Sequence, residues 1–125
     1  MTTSQRPSLA PYEPYPLPEL LRRTAGRLPD KVAVIDGDRE YTYHQLDRYS
    51  DRRGAALLGL GVSKGERVGI LAPNCGEFVI AFYGIVKAGA IVTTVNSGYR
   101  EREIAHQLND SGARVLIVHP ALLDM

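Results

Sequence analysis

Apolar and polar positions alternate in two different rhythms along this chain. Leu20, Leu21, Ala25 and Leu28 recur at helical spacing behind Pro18, predicting a helix over "PELLRRTAGRL". "KVAVIDGDREYTY" predicts a hairpin: an apolar strand, the turn "DGDR", and a second strand ending in aromatics. In "YHQLDRYSDRRGAALLGLG", Leu46, Tyr49, Arg53, Ala56, Leu57 and Leu60 track one helical face, and the closing "GLG" supplies a C-cap. The strand "RVGILA" follows, then "CGEFVIAFYGIVKAGA", a helix apolar on nearly every side and so expected deep in a core. "AIVTTV", "REREIAHQLNDSG" and "RVLIVH" complete the series as strand, helix and strand. Short connections between alternating strands and helices imply right-handed βαβ units. The expected class is therefore α/β, with an N-terminal hairpin and helices leading into a parallel βαβαβ sheet.

Two local expectations follow from this layout. Gly89 joins the buried helix to its strand, where a branched side chain is expected to overpack or to oppose the turn. "RVLIVH" is a fully apolar strand, and an unpaired edge on it would favour self-association, with Val115→Lys or Ile117→Lys as the outward-facing probe.

The first 17 residues break the rhythm. "YEPYPLP" is proline-rich and has no core-building period, so residues 1–17 read as an extended lead and 18–125 as the folded part. Fifteen basic residues balance fourteen acidic ones, which gives no electrostatic case for nucleic acid as a partner. The N-terminus lacks an apolar signal region and no stretch is apolar over the roughly 20 residues a membrane span needs, so the expected location is cytoplasmic.

Candidate chemistry is sparse at this level. "GLGVSKGE" fits neither phosphate-loop spacing, and it joins a helix to a strand where a phosphate loop joins a strand to a helix. "RVGILAPN" has no acid cluster of the kind a magnesium-dependent phosphoacceptor domain places after a buried strand. His44, His106 and His119 show no metal-binding spacing, so no metal site can be argued from the sequence. Cys75 is the single cysteine, and neither it nor Ser97 has an assignable base nearby in the chain. Asn96-Ser97-Gly98 stands just past a strand, where ligands gather in parallel sheets, but a turn before a helix explains it as well.

Three segments in order carry a resemblance. "YTYHQL" (41–46) is similar to the first core motif of the adenylate-forming superfamily, which includes acyl-CoA synthetases, luciferases and peptide-synthetase adenylation domains. "VKAGAIVTTVN" (86–96) is similar to the second core motif. "EREIAHQLNDSGARVLIV" resembles the helix and strand that follow it in fatty-acyl- and aryl-CoA ligases, including the 4-coumarate–CoA-ligase-like group. Gln45 replaces the usual Glu of the first motif, and Ser97 stands where Pro is common.

The resemblance implies an N-terminal fragment of an ATP-dependent acyl-CoA synthetase: a carboxylic acid and ATP form an acyl-adenylate and pyrophosphate, and the acyl group then passes to CoA. It implies ATP, Mg2+ and CoA as cofactors of the parent enzyme and a fatty or aryl acid as substrate. It also implies that Ser97, Gly98 and Tyr99 form a loop on the CoA side. The family's phosphate loop, magnesium-binding Glu, ribose-binding Asp and catalytic Lys have no counterpart here, so no catalytic residue is assigned. None of the cofactors is expected to bind these 125 residues tightly. The competing expectation is a stand-alone, non-catalytic α/β module for binding or assembly.

Overall fold

A computed structural model describes residues 16–73, 75–95, 98 and 100–120. Its elements in chain order are α1 (Leu17–Arg27), β1 (Val32–Asp36), β2 (Arg39–Thr42), α2 (Tyr43–Gly59), β3 (Arg67–Leu71), α3 (Gly76–Lys87), β4 (Ile91–Val95), α4 (Glu101–Ser111) and β5 (Ala113–Val118). β1 and β2 pair antiparallel, and β3 pairs parallel with β4 on one side and β5 on the other. The α/β class and the parallel βαβαβ order read from the sequence hold. Most of the extended lead expected over 1–17 lies outside the described residues.

The sheet order places its two helices. The chain leaves central β3 for β4 through α3, then returns past β3 to β5 through α4. Two right-handed crossovers running in opposite directions put their helices on opposite faces. Packing agrees: Val68 and Ile70 of β3 meet Ala81 and Ile85 of α3, whereas Leu71 shares a cluster with Ile104 of α4.

α3 is enclosed from both sides, which explains its lack of a polar face. Ala81 and Ile85 point to the sheet, while Ile80 joins Leu21, Tyr41 and Leu46 from α1, the hairpin and α2. The phase expected for α2 is corrected. Its buried stripe is Leu46, Ser50, Gly54 and Leu57, while Arg53, Ala56 and Leu60 are exposed. Small residues set that phase, because α2 and α3 cross closely: a Cβ on Gly54 would stand 3.0 Å from the Gly84 carbonyl oxygen, and one on Gly84 would stand 2.5 Å from Arg53 Cβ. Buried Ser50 satisfies its hydroxyl by donating to the Asp47 carbonyl.

Two further expectations change. Gly89 is exposed, and a Cβ there would find only ordinary contact with Lys64 at 3.5 Å. Of the two reasons expected for glycine, the turn is the one that holds, because its φ of +81° ends α3 in a left-handed turn. On β5, Val115 and Ile117 both pack towards the α3 side and Leu116 and Val118 towards α4, so neither proposed lysine position faces outward. Among the described residues, β4 and β5 each pair only with β3.

Candidate functional site at the carboxyl end of the sheet

The hairpin fixes where α3 begins. Asp36 Oδ2 accepts the Gly76 N–H at 3.0 Å, placing a carboxylate at the positive end of the helix. The Tyr41 ring lies against Gly76 so closely that a Cβ would stand 2.3 Å from Cε2. Tyr41 is itself held edge-on by Tyr49, with ring centroids 6.3 Å apart. One residue on, Thr42 and Gln45 form a reciprocal cap for α2: Gln45 N–H donates to Thr42 Oγ1 at 3.1 Å, and Thr42 N–H donates to Gln45 Oε1 at 2.9 Å. An amide oxygen accepts this bond as a carboxylate would, so Gln45 in place of the Glu that the resemblance leads one to expect keeps the cap.

"VKAGA" does comparable structural work. Lys87 Nζ reaches Asp47 Oδ1 at 2.6 Å and Asp51 Oδ1 at 2.7 Å, locking the end of α3 to α2. Ala88 and Ala90 are buried, and Gly89 makes the turn between them. Both motif segments therefore brace the scaffold, and the groups with chemical capacity lie at the strand ends.

β3 and β5 finish side by side, and His119 N–H donates to the Leu71 carbonyl at 2.9 Å, extending their pairing by one rung. This brings the His119 ring to the start of α3, where its Nε2 lies 3.4 Å from Glu77 Oε1. Cys75, the residue before α3, completes a group whose donor atoms all lie within 4.8 Å of one another: thiol sulfur, carboxylate oxygen and imidazole nitrogen. The three side chains are half-buried. Glu77 and His119 border a cavity of about 210 Å³ that is also lined by Arg53, Ile70, Ala72, Ala81 and Ile117. Arg53 and Glu77 also line a neighbouring groove of about 390 Å³ with Arg39, Tyr41, Tyr49 and Arg52.

Of the loop residues singled out from the sequence, Gly98 forms an exposed turn after β4, while Ser97 and Tyr99, like Asn96, lie outside the described residues. His44 and His106 are exposed, and His106 pairs only with Asp110 on its own helix among the ion pairs described. The grouping of Cys75, Glu77 and His119 was not legible from spacing. The signal that could have found it is topological: "PNCGE" and "VHP" both follow strands, and adjacent parallel strands bring their carboxyl ends together.

The amino end of the sheet is built differently. Arg67 Nη1 donates to the Ser111 carbonyl at 2.8 Å, and Arg114 Nη1 bridges the Gly61 carbonyl and Glu66 Oε1. The Ser63 N–H, and next the Arg114 guanidinium, hold the Glu66 carboxyl below the usual carboxylate range. That end is stapled shut by hydrogen bonds, while the carboxyl end gathers donors around a cavity.

Comparison with known proteins agrees with the motif order. The family described as AMP-binding enzyme matches residues 21–124. The chain is 42% identical over 104 residues to a long-chain-fatty-acid–CoA ligase of Salmonella typhimurium, covering 82% of this chain and 18% of that protein. It is 36% identical over 124 residues to a long-chain-fatty-acid–CoA ligase of Bacillus subtilis, covering 91% of this chain and 22% of that protein. Among solved structures, the anthranilate CoA ligase AuaEII, in complex with anthranoyl-AMP, superposes with a TM-score of 0.80 at 39% identity, over 88% of this chain and 22% of that one. The chain thus spans between 18% and 22% of the length of these relatives.

Proposed function

The chain belongs to the AMP-binding enzyme family, and on that premise we propose that it forms the N-terminal scaffold of an ATP-dependent acyl-CoA synthetase. The observation that carries this reading is the collinear match over 21–124, in which both core motifs perform identifiable structural tasks: the capped α2 and hairpin brace, and the Lys87–Gly89 end of α3. The parent activity is adenylation of a carboxylic acid by ATP with release of pyrophosphate, followed by thioester formation with CoA. Mg2+ offsets the phosphate charge in the first step. A fatty or aryl acid is the substrate class, supported by the named relatives, which are ligases of long-chain fatty acids and of anthranilate. The reaction belongs in the cytoplasm, and no described helix is long and apolar enough to cross a membrane.

Within this scaffold the loop after β4, with Ser97, Gly98 and Tyr99, is assigned to the CoA side, as its place at a strand's carboxyl end supports. Residues 18–125 act as part of one larger domain, and 1–17 as a lead into it. Taken alone, the 125 residues should bind Mg-ATP and CoA weakly and associate through the β4 and β5 edges.

The test compares two polypeptides: residues 1–125, and the same sequence extended through the family's phosphate loop and catalytic Lys. Acid-dependent pyrophosphate release from the extended protein, and none from residues 1–125, is the expected result. Release from neither, with the short chain monodisperse in light scattering at high concentration, would favour the stand-alone binding module.

A further inference from the structure

We infer that Cys75, Glu77 and His119 form a binding site for a divalent transition metal ion of the zinc type. The donor set is mixed thiolate, carboxylate and imidazole, the combination that Zn2+ and Co2+ accept in tetrahedral sites with three protein ligands and a water. The geometry is near the required one. Metal–nitrogen and metal–oxygen bonds of about 2.05 Å at a tetrahedral angle place the two donors roughly 3.3 Å apart. His119 Nε2 and Glu77 Oε1 are separated by 3.4 Å. All three donor atoms lie within 4.8 Å of one another, so rotamer adjustments of about 1 Å bring the sulfur to bonding distance.

The backbone holds the ligands from two directions. Cys75 and Glu77 flank the first residue of α3, whose N–H is tied to Asp36, and His119 is fixed by its own N–H on Leu71. The adjoining cavity of about 210 Å³ leaves room for a fourth, exchangeable ligand. Arg53 lines the same cavity and opposes a cation. Binding releases the Cys75 thiol proton to solvent, and the thiolate and carboxylate together then neutralise the dication, offsetting that repulsion. A hard ion such as Mg2+ gains little from sulfur or imidazole, so this donor set selects against it.

Titration of the 125-residue chain with Co2+ tests this directly, because the protein has one cysteine. A thiolate-to-cobalt charge-transfer band, together with tetrahedral visible bands, should saturate at one equivalent and be displaced by Zn2+. Cys75→Ser should abolish the charge-transfer band. Glu77→Gln and His119→Ala should each weaken Co2+ binding about tenfold or more, since even outer-sphere partners cost that much. His106→Ala, on a separate exposed pair, should leave binding unchanged. Circular dichroism and an unchanged denaturation midpoint without metal would verify that the variants fold. If Glu77→Gln alone folds, its affinity decides the question. No saturable band, or a band equally strong in folded Glu77→Gln and His119→Ala, would reduce the site to an ordinary surface thiol and overturn the inference. Neither result depends on whether the parent protein makes acyl-CoA.

Discussion

The two faces of the three-stranded sheet are covered in different ways. On the α3 face, Val68, Ile70 and Ile85 are fully buried, and behind α3 lies a second layer from α2, α1 and the hairpin. On the α4 face the buried set is Leu71, Val95 and Ile104, with Leu108, Leu116 and Val118 only half-buried around them. One face is a closed interior with backbone packed against backbone. The other is a thin layer made from the flexible ends of leucines. The difference teaches that the start of α3 is held in a half covered by two layers, while the α4 half is covered by one.

Cavity-forming substitutions should separate the faces most widely. Ile85→Ala should cost about 4 kcal/mol, because a doubly covered helix cannot collapse into the void. Ile104→Ala, on the thin face, should cost about 2 kcal/mol, since neighbouring side chains can move in. Urea denaturation of both variants checks this, and equal losses would erase the distinction.

Adding a methyl group sharpens it. At Gly84 a Cβ meets Arg53 Cβ at 2.5 Å and backbone atoms of α2 at 3.3 Å, so Gly84→Ala must push two helices apart, at about 2 kcal/mol. At Gly69 the same methyl meets the tips of Leu116 at 3.0 Å and Leu108 at 3.3 Å, with the Thr93 carbonyl oxygen at an ordinary contact distance of 3.7 Å. Gly69→Ala should therefore cost less, about 1 kcal/mol, because the leucine ends can give way. Thermal melts of the two alanine variants would show a reversed order if the α4 face were the stiffer one.

The α2–α3 seam also rests on charge. Lys87 is nearly buried and ion-paired with Asp47, whose side chain is 17% exposed, and with the half-exposed Asp51. Lys87→Met should cost about 2 kcal/mol, because it strands Asp47, and pairing it with Asp47→Asn should recover part of the loss. A double-mutant cycle measures this coupling; strict additivity would mean that the pair does not brace the seam.

The smallest expected effect concerns β5, whose residues, like those of β3, reach both faces. The lowered pKa of Glu66 arises first from the Ser63 N–H and then from Arg114, which reaches across from β5. A lowered folded-state pKa gives stability that is present above the unfolded carboxylate pKa and is lost as pH falls through the folded value. Glu66→Gln should thus be slightly less stable than the parent at neutral pH and lose less on acidification. Midpoints measured across that acid range should converge, and parallel curves would remove Glu66 from the account.

Much of this was legible along the chain because it is local. The all-round apolarity of α3, the unbroken apolar run of β3 and the glycine ending of α2 each depend on residues within a turn or two. The family resemblance was also carried by contiguous segments, whose order the comparison over 21–124 reproduces.

What only the tertiary structure decided depends on partners far apart in sequence. A hydrophobic pattern could not show that Ser50 and Gly54 face inward, because close helix approach selects for small volume where apolar patterning registers large side chains. Nor could it show that Gly89 is required by its backbone angle while Gly84 is required by space. The meeting of Cys75 and Glu77 with His119 follows from sheet order: β5 takes its place beside β3 instead of β4, and strand neighbours are set by long-range packing that no local window contains.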